Sequence, residues 1–250
     1  MNHTLKKSLL VTLFPALIVG LSGCSDNDSS SNSAPGNNNI EFEVSVTNLS
    51  ANQPFSPIAV IYHKDGYSAW SIGDEASSGL EELAESGMNE AFVTEAENHD
   101  AHLAAIGDDE FIGPGQTHTI SASFANDDAD IELTFATMLV NTNDAFTGLS
   151  GWHIGELQVG ESLTRLAPIY DAGTEFNSEE AGTIPGPADS SGIEDRGFNP
   201  EREVSNIVTR HPGVVSQGVD GGFDENPDSV LDESHRFDAP IAKIVVTRVN

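Results

Sequence analysis

Basic residues are what this chain has least of. Its 250 residues carry 10 Lys and Arg against 40 Asp and Glu, for a formal charge of −30 and a pI near 4.2. Affinity for nucleic acid comes from cations that displace counterions from phosphate, so this balance excludes nucleic acid as a partner, and anionic lipid surfaces with it. Cysteine is nearly absent as well. Cys24 stands alone, and no intramolecular disulfide can staple the fold. Catalytic signatures are missing too: the chain has no Gly-x-Ser-x-Gly elbow, His-Glu-x-x-His zinc helix, glycine-rich phosphate loop or Cys-His pair. The apolar run from Leu9 to Val19 is too short to span a bilayer. What is present is enough apolar material for a core, 38% hydrophobic residues with 12 Phe, more than a disordered acidic chain would carry. So many carboxylates repel one another, and the folded state gains from cations, high salt or bound metal.

The first residues read as an export signal. Lys6 and Lys7 precede the apolar run, which ends in Leu21-Ser22-Gly23-Cys24. That ending resembles the lipobox of bacterial lipoproteins, in which cleavage leaves the cysteine acylated. The expectation is a signal peptide over residues 1–23 and lipidation at Cys24, which also accounts for the lone thiol. Ser25, rather than Asp, after the cysteine favours the outer membrane by the same resemblance. Residues 24–39 are rich in Ser, Asn and Asp and form a flexible tether. The domain then spans residues 40–250. Removing Lys6 and Lys7 with the leader leaves eight basic residues against all 40 acids.

From Ile40 onward the pattern is that of strands. Ile40, Phe42, Val44 and Val46 alternate with polar residues, a period-two strand with one wet face. Ile58 to Tyr62 reads as a second strand. Ser77-Ser78-Gly79 introduces a helix of about two turns over Leu80 to Glu85, which Ser86-Gly87 ends. Glu90 to Ala105 tolerates helix. Gln116 to Phe124 and Asp130 to Val140 alternate as strands, with Asn126-Asp127-Asp128 between them as a hairpin loop. Ala242 to Val249 is a final strand. Short strands joined by turns, with one or two short helices and a long acidic loop insertion, predict a mainly β protein, an antiparallel β-sandwich.

Two segments carry the chemistry. Met138-Leu139-Val140 runs into Asn141-Thr142-Asn143-Asp144-Ala145-Phe146-Thr147-Gly148, and Ile169-Tyr170 leads into Asp171-Ala172-Gly173-Thr174-Glu175. Together with Val46-Thr47-Asn48-Leu49, Gln53-Pro54-Phe55-Ser56-Pro57 and Gly73-Asp74-Glu75-Ala76-Ser77, they resemble the spondin N-terminal domain family. The family shows prolines and a tryptophan in the first turn, which this chain lacks, and a final Asp where Glu175 stands. The resemblance implies a C2-like sandwich with a calcium ion at one end, held by Asp144, Asp171 and Glu175. Calcium takes six to eight oxygen ligands, and carboxylates on two adjacent loops supply charge without a closed cage. It also implies a non-catalytic adhesion or binding module, with an extracellular matrix component, a glycan or a surface protein as partner.

Other acidic clusters read as solvated loops. A loop starting at Asp224 fails as an EF-hand, with Ser229 at the sixth position and His235 at the twelfth. Glu175 to Glu203 is rich in Gly, Ser, Pro and acids and reads as a surface insertion. His99 and His102 are three apart, but acidic neighbours explain them as an exposed helix face. The competing function is a secreted polysaccharide hydrolase using paired carboxylates such as Asp144 and Asp171. That chemistry needs one carboxylic acid of raised pKa in a cleft that substrate can enter, such as one lined by Trp70 or Trp152.

Overall fold

The computed structural model describes residues 39–125, 130–192, 197–199, 206–218 and 226–250. The export signal, Cys24, the tether up to residue 38 and the Asn126–Asp128 loop lie outside these residues, as do Asp224 and Glu225 of the rejected EF-hand loop.

Alternation in the sequence becomes a sandwich with two walls. Strand β1 (Asn39–Asn48) buries Ile40, Phe42, Val44 and Val46 on one face. It lies between β4 (Thr117–Ala125) and β10 (Ala242–Arg248), with Val44 opposite Ile120 on one side and Val246 on the other. Strand β7 (Ser162–Ala167) adds to β10 and completes a four-stranded antiparallel sheet. The second sheet has six strands, in the order β3 (His102–Gly107), β2 (Ala59–His63), β5 (Glu132–Met138), β6 (Ala145–His153), β8 (Ile169–Asp171) and β9 (Thr209–Arg210). Phe42, Tyr62, Phe124, Leu133, Phe135 and Val246 meet between the sheets. The rings of Phe42, Tyr62 and Phe124 lie 5.0 to 6.3 Å apart, a spacing at which aromatic pairs add about 0.5–1.5 kcal/mol beyond their buried area.

The six-stranded sheet is covered on its outer face as well. Helices α1 (Ser78–Ser86) and α2 (Glu90–Glu97) pack Leu80, Leu83, Phe92 and Ala96 against Ala59, Ile61 and Ala136. Central strands β2 and β5 are therefore buried on both faces, although the sequence of β5 alternates apolar with polar residues. Helix α1 begins and ends where the sequence placed it. Ser77 Oγ accepts from Leu80 N–H at 3.1 Å, and the Gly87 N–H donates to the Leu83 carbonyl at 3.0 Å. Ser77 Oγ also donates to Glu95 Oε2 at 2.6 Å, tying α2 to the start of α1.

Two local expectations fail. The helix-tolerant stretch from Glu90 stops at Glu97, and His102–Gly107 is a strand pairing Ile106 with Val60 and Ala104 with Tyr62. A vacant place beside β2 outweighs a weak helical preference. The hairpin between the third and fourth predicted strands is absent too. Strand β4 pairs with β1, whereas β5 pairs with β2 and β6. The chain crosses from one wall to the other because Phe124 and Leu133 face each other across a single core rather than side by side in one sheet.

The insertion after Glu175 is packed where it is described. Ile184, Val214 and Leu231 form a small third core, and Glu179, Asp189 and Ser229 are buried with it. The solvated-loop reading of these two segments is thus corrected for residues 179–189 and 229–231.

Candidate functional site

The site is built where two turns meet at one end of the six-stranded sheet. The first connects β5 to β6 and comprises Asn141, Thr142, Asn143 and Asp144, all buried. Thr142 Oγ1 donates to the Leu139 carbonyl at 2.6 Å and accepts from Ala145 N–H at 3.2 Å, closing the turn on itself. Asn141 donates to the Asn52 carbonyl and accepts from Ala188 N–H, both at 3.0 Å. Asn143 donates to the Thr183 carbonyl at 3.0 Å and accepts from Glu179 N–H at 3.4 Å. These amides anchor the packed insertion to the turn.

Asp144 is the exception in this turn. Its Oδ2 accepts from Thr174 N–H at 2.8 Å and Glu175 N–H at 3.1 Å, while its Oδ1 is buried without a hydrogen-bond partner. An orphaned carboxylate oxygen of this kind requires an explanation, because its desolvation is uncompensated. Burial pushes the Asp144 carboxyl up to about 7, with the nearby Asp171 charge adding to the effect, the two backbone donors opposing it and Glu85 adding a smaller push. Glu85 arrives from α1, is itself buried, and accepts from Asn199 N–H at 2.8 Å. Its place beside the site was not legible in a short helix of about two turns.

The second turn follows β8. Pairing of Asp171 with Ala145 puts it alongside Asp144. Asp171 Oδ1 accepts from Gly173 N–H at 2.8 Å and Oδ2 from Asn177 Nδ2 at 2.6 Å. Gly173 has φ +74, and a Cβ there would lie 2.4 Å from the Ile207 carbonyl oxygen. Glycine is therefore required twice over, by backbone conformation and by close approach. The curl it permits aims the N–H groups of Thr174 and Glu175 at Asp144. Asn177 leads outward: its Oδ1 accepts from His211 Nε2 at 3.1 Å, and His211 Nδ1 accepts from Gly213 N–H at 3.0 Å. Those polarities define a neutral imidazole carrying its proton on Nε2. Burial holds its pKa below the usual range, against the opposing pull of Asp171 and Glu179. Asn177 and His211 were missed as site neighbours because nothing in their spacing links them to Asp171.

Of the three expected ligands, Asp144 and Asp171 are brought together, and Glu175 meets Asp144 through its backbone N–H. Among the described residues no group of three His, Cys, Asp or Glu side chains converges as a metal cluster. The unpartnered Asp144 oxygen beside a second carboxylate nonetheless suits a hard cation that draws its remaining oxygens from main chain and water.

Glu179 shows what a satisfied buried acid looks like in the same region. Its Oε1 accepts from Val215 N–H at 2.7 Å, and its Oε2 from Ser216 N–H at 2.8 Å and Ser229 Oγ at 2.7 Å. It clamps three segments and has no oxygen to spare. Glu179→Gln turns an amide donor toward those donors and is expected to cost about 1–3 kcal/mol in urea unfolding; an unchanged midpoint refutes the clamp.

Beneath the site, Phe146 and Tyr170 stack at 5.1 Å, with Trp70 edge-on to both at 5.1 and 5.5 Å. Gly148 lets the Trp70 ring lie against β6, since a Cβ there would meet Trp70 Cη2 at 2.7 Å and the Phe135 carbonyl oxygen at 2.3 Å.

An antiparallel sandwich with an acidic turn pair at one end, an aromatic cluster beneath it and this order of motifs defines a class of binding domain. Residues 47–191 match the family model of the spondin N-terminal domain, Spondin_N, and the chain belongs to that family. No curated protein matches it.

Proposed function

We propose that the protein is an exported, lipid-anchored, non-catalytic binding and adhesion module that holds a calcium ion at one end of its sandwich. Family membership supports the binding role. The observation that carries the metal is the buried, unpartnered Asp144 Oδ1 next to Asp171. Asp144 and Asp171 would hold the ion, and Glu175, whose main chain already touches Asp144, is the third candidate. The ion would supply positive charge to neighbouring buried carboxylates and fix the two turns against each other. Cys24 and the tether would display the domain from the outer membrane to a matrix, glycan or surface-protein partner.

The hydrolase reading loses its support. An acid with a pKa near 7 would suit general acid catalysis, but Asp144 is 0% exposed and no substrate reaches it. Trp70 and Trp152 are buried as well, Trp152 under the Arg165 guanidinium, which leaves little ring face for a sugar.

Millimolar calcium should raise the melting temperature of the purified protein; binding at a hundredfold excess over Kd contributes about 2.7 kcal/mol. Magnesium should do less, because it demands a stricter octahedron and dehydrates reluctantly. Asp171→Ala should abolish the calcium shift. A melting curve unmoved by calcium defeats the metal proposal.

A further inference from the structure

Beside the turn pair, residues 210–214 and 236–239 enclose two adjoining hollows of about 340 and 330 Å³. They share Pro212, Gly213, Phe237 and Asp238 as walls; Arg210 and His211 line the first, Arg236 the second. In a chain where acids outnumber bases fourfold, a groove with a guanidinium near each end is a local inversion of charge.

Arg210 is the distinctive group. It projects from β9 with its guanidinium 4.7 Å from the centre of the Tyr170 ring, and among the described residues no carboxylate pairs with it. Stacking holds the plane of the fork while leaving its N–H edge able to take an anion. Arg236 is engaged with the Val215 carbonyl and Ser216 Oγ, so it contributes charge more than a new contact. Between them the half-buried Phe237 ring packs at 5.2 Å against His211. Both nitrogens of His211 are already bonded, which makes this wall rigid before any ligand arrives. Asp238 is exposed at the rim and can accept from hydroxyls.

An anion contact, an apolar ring face and a hydroxyl acceptor within two connected hollows match the three chemical features of an acidic sugar unit: its charged substituent, its C–H face and its hydroxyls. We propose that this groove binds an acidic polysaccharide, one bearing carboxylate or sulfate on its rings, with Arg210 as the anion contact. The proposal rests on the binding-module reading and names its ligand class. An acidic peptide satisfies the anion contact but not the paired ring face and hydroxyl acceptor.

Titration calorimetry on the full-length protein in calcium tests it with oligogalacturonate for carboxylate, a heparin oligosaccharide for sulfate, a dextran oligosaccharide as the neutral sugar and polyglutamate as the acidic peptide. Binding of at least one acidic sugar but not of dextran is expected, weakening as salt rises. Arg210→Gln should weaken it at least tenfold, Arg210→Lys should retain part of it, and Lys243→Ala, at an exposed position on β10, should leave it unchanged. Arg210 is exposed and Arg210→Gln should keep the calcium-dependent melting shift. Sugar binding that persists in a protein without a calcium shift removes the metal reading and leaves this one standing. Equal binding of dextran, tighter binding of polyglutamate, unaltered binding by Arg210→Gln, or no binding of either acidic sugar overturns it.

Discussion

Asp144→Asn is expected to melt higher than the parent protein in EDTA at pH 8, and lower than it in millimolar calcium. The inversion follows from the state of one oxygen pair. Without a cation, Asp144 has its pKa raised from 3.8 to about 7, so the native state holds a proton that the unfolded chain releases between about pH 4 and 7. The stability this contributes is fully present below about pH 4 and is lost as pH rises through 7. Above that, the parent carries a buried charge at a cost of about 4 kcal/mol, from three pKa units at about 1.4 kcal/mol each. For a chain of this size that is on the order of 10 °C in melting temperature. Asparagine keeps an oxygen for the Thr174 and Glu175 N–H groups and carries no charge. The two proteins should therefore converge in EDTA only as pH falls to about 4. Calcium reverses the order because it favours the ionised parent and has no carboxylate to hold at position 144 of the variant. Parallel melting profiles for the two proteins from pH 5 to 8, with and without calcium, would show that Asp144 is not the group that responds.

Gly173→Ala is expected to be at least as costly, by about 4 kcal/mol or more in urea unfolding, with loss of the calcium response. Part of the cost is conformational, since a non-glycine residue at φ +74 pays roughly 1–2 kcal/mol. The larger part is overlap, because the added Cβ would meet the Ile207 carbonyl oxygen at 2.4 Å and its nitrogen at 2.9 Å. Neither is a flexible side-chain tip. Relief would require moving the segment that pairs Ile207 with Glu75 and donates from Asn206 N–H to the Gly173 carbonyl at 2.8 Å. Gly160→Ala separates the two terms. Its φ is +85 and nothing lies within 4 Å of the built Cβ, so it should lose only the conformational part. Equal losses at the two positions would mean that the packing against Ile207 contributes nothing.

The legible parts of this fold are those where one physical rule dominates. Strand β1 alternates cleanly because one face is buried and the other wet, and α1 carries both a cap and a terminating glycine. Strands β6 to β9 were not legible as strands. Edge strand β7 is exposed on nearly every residue and has no periodic apolar signal to read, while β6 is covered for half its length and open for the rest. β9 has two residues and exists only because β8 offers it an edge. Of the candidate site, the Asp144 and Asp171 turns were readable through ordered motifs. The Asn177–His211 chain and Glu85 were not, because only tertiary folding brings them to the same end. Nor was Glu175's main-chain role readable, since a side-chain identity says nothing about where its N–H points.

The pairing of β1 with β10 carries a consequence for biosynthesis. The first and last strands lie side by side in the interior of the four-stranded sheet, and β7 has no other partner in that sheet than β10. A nascent chain that has not yet emerged through Ala242–Arg248 therefore lacks the strand that pairs with β1 and joins β7 to the same wall. Folding waits on contacts about 200 residues apart in sequence, a slow, non-local kind of nucleus. Closure of the sandwich is thereby ordered after the emergence of β10, an order set by which strands are neighbours.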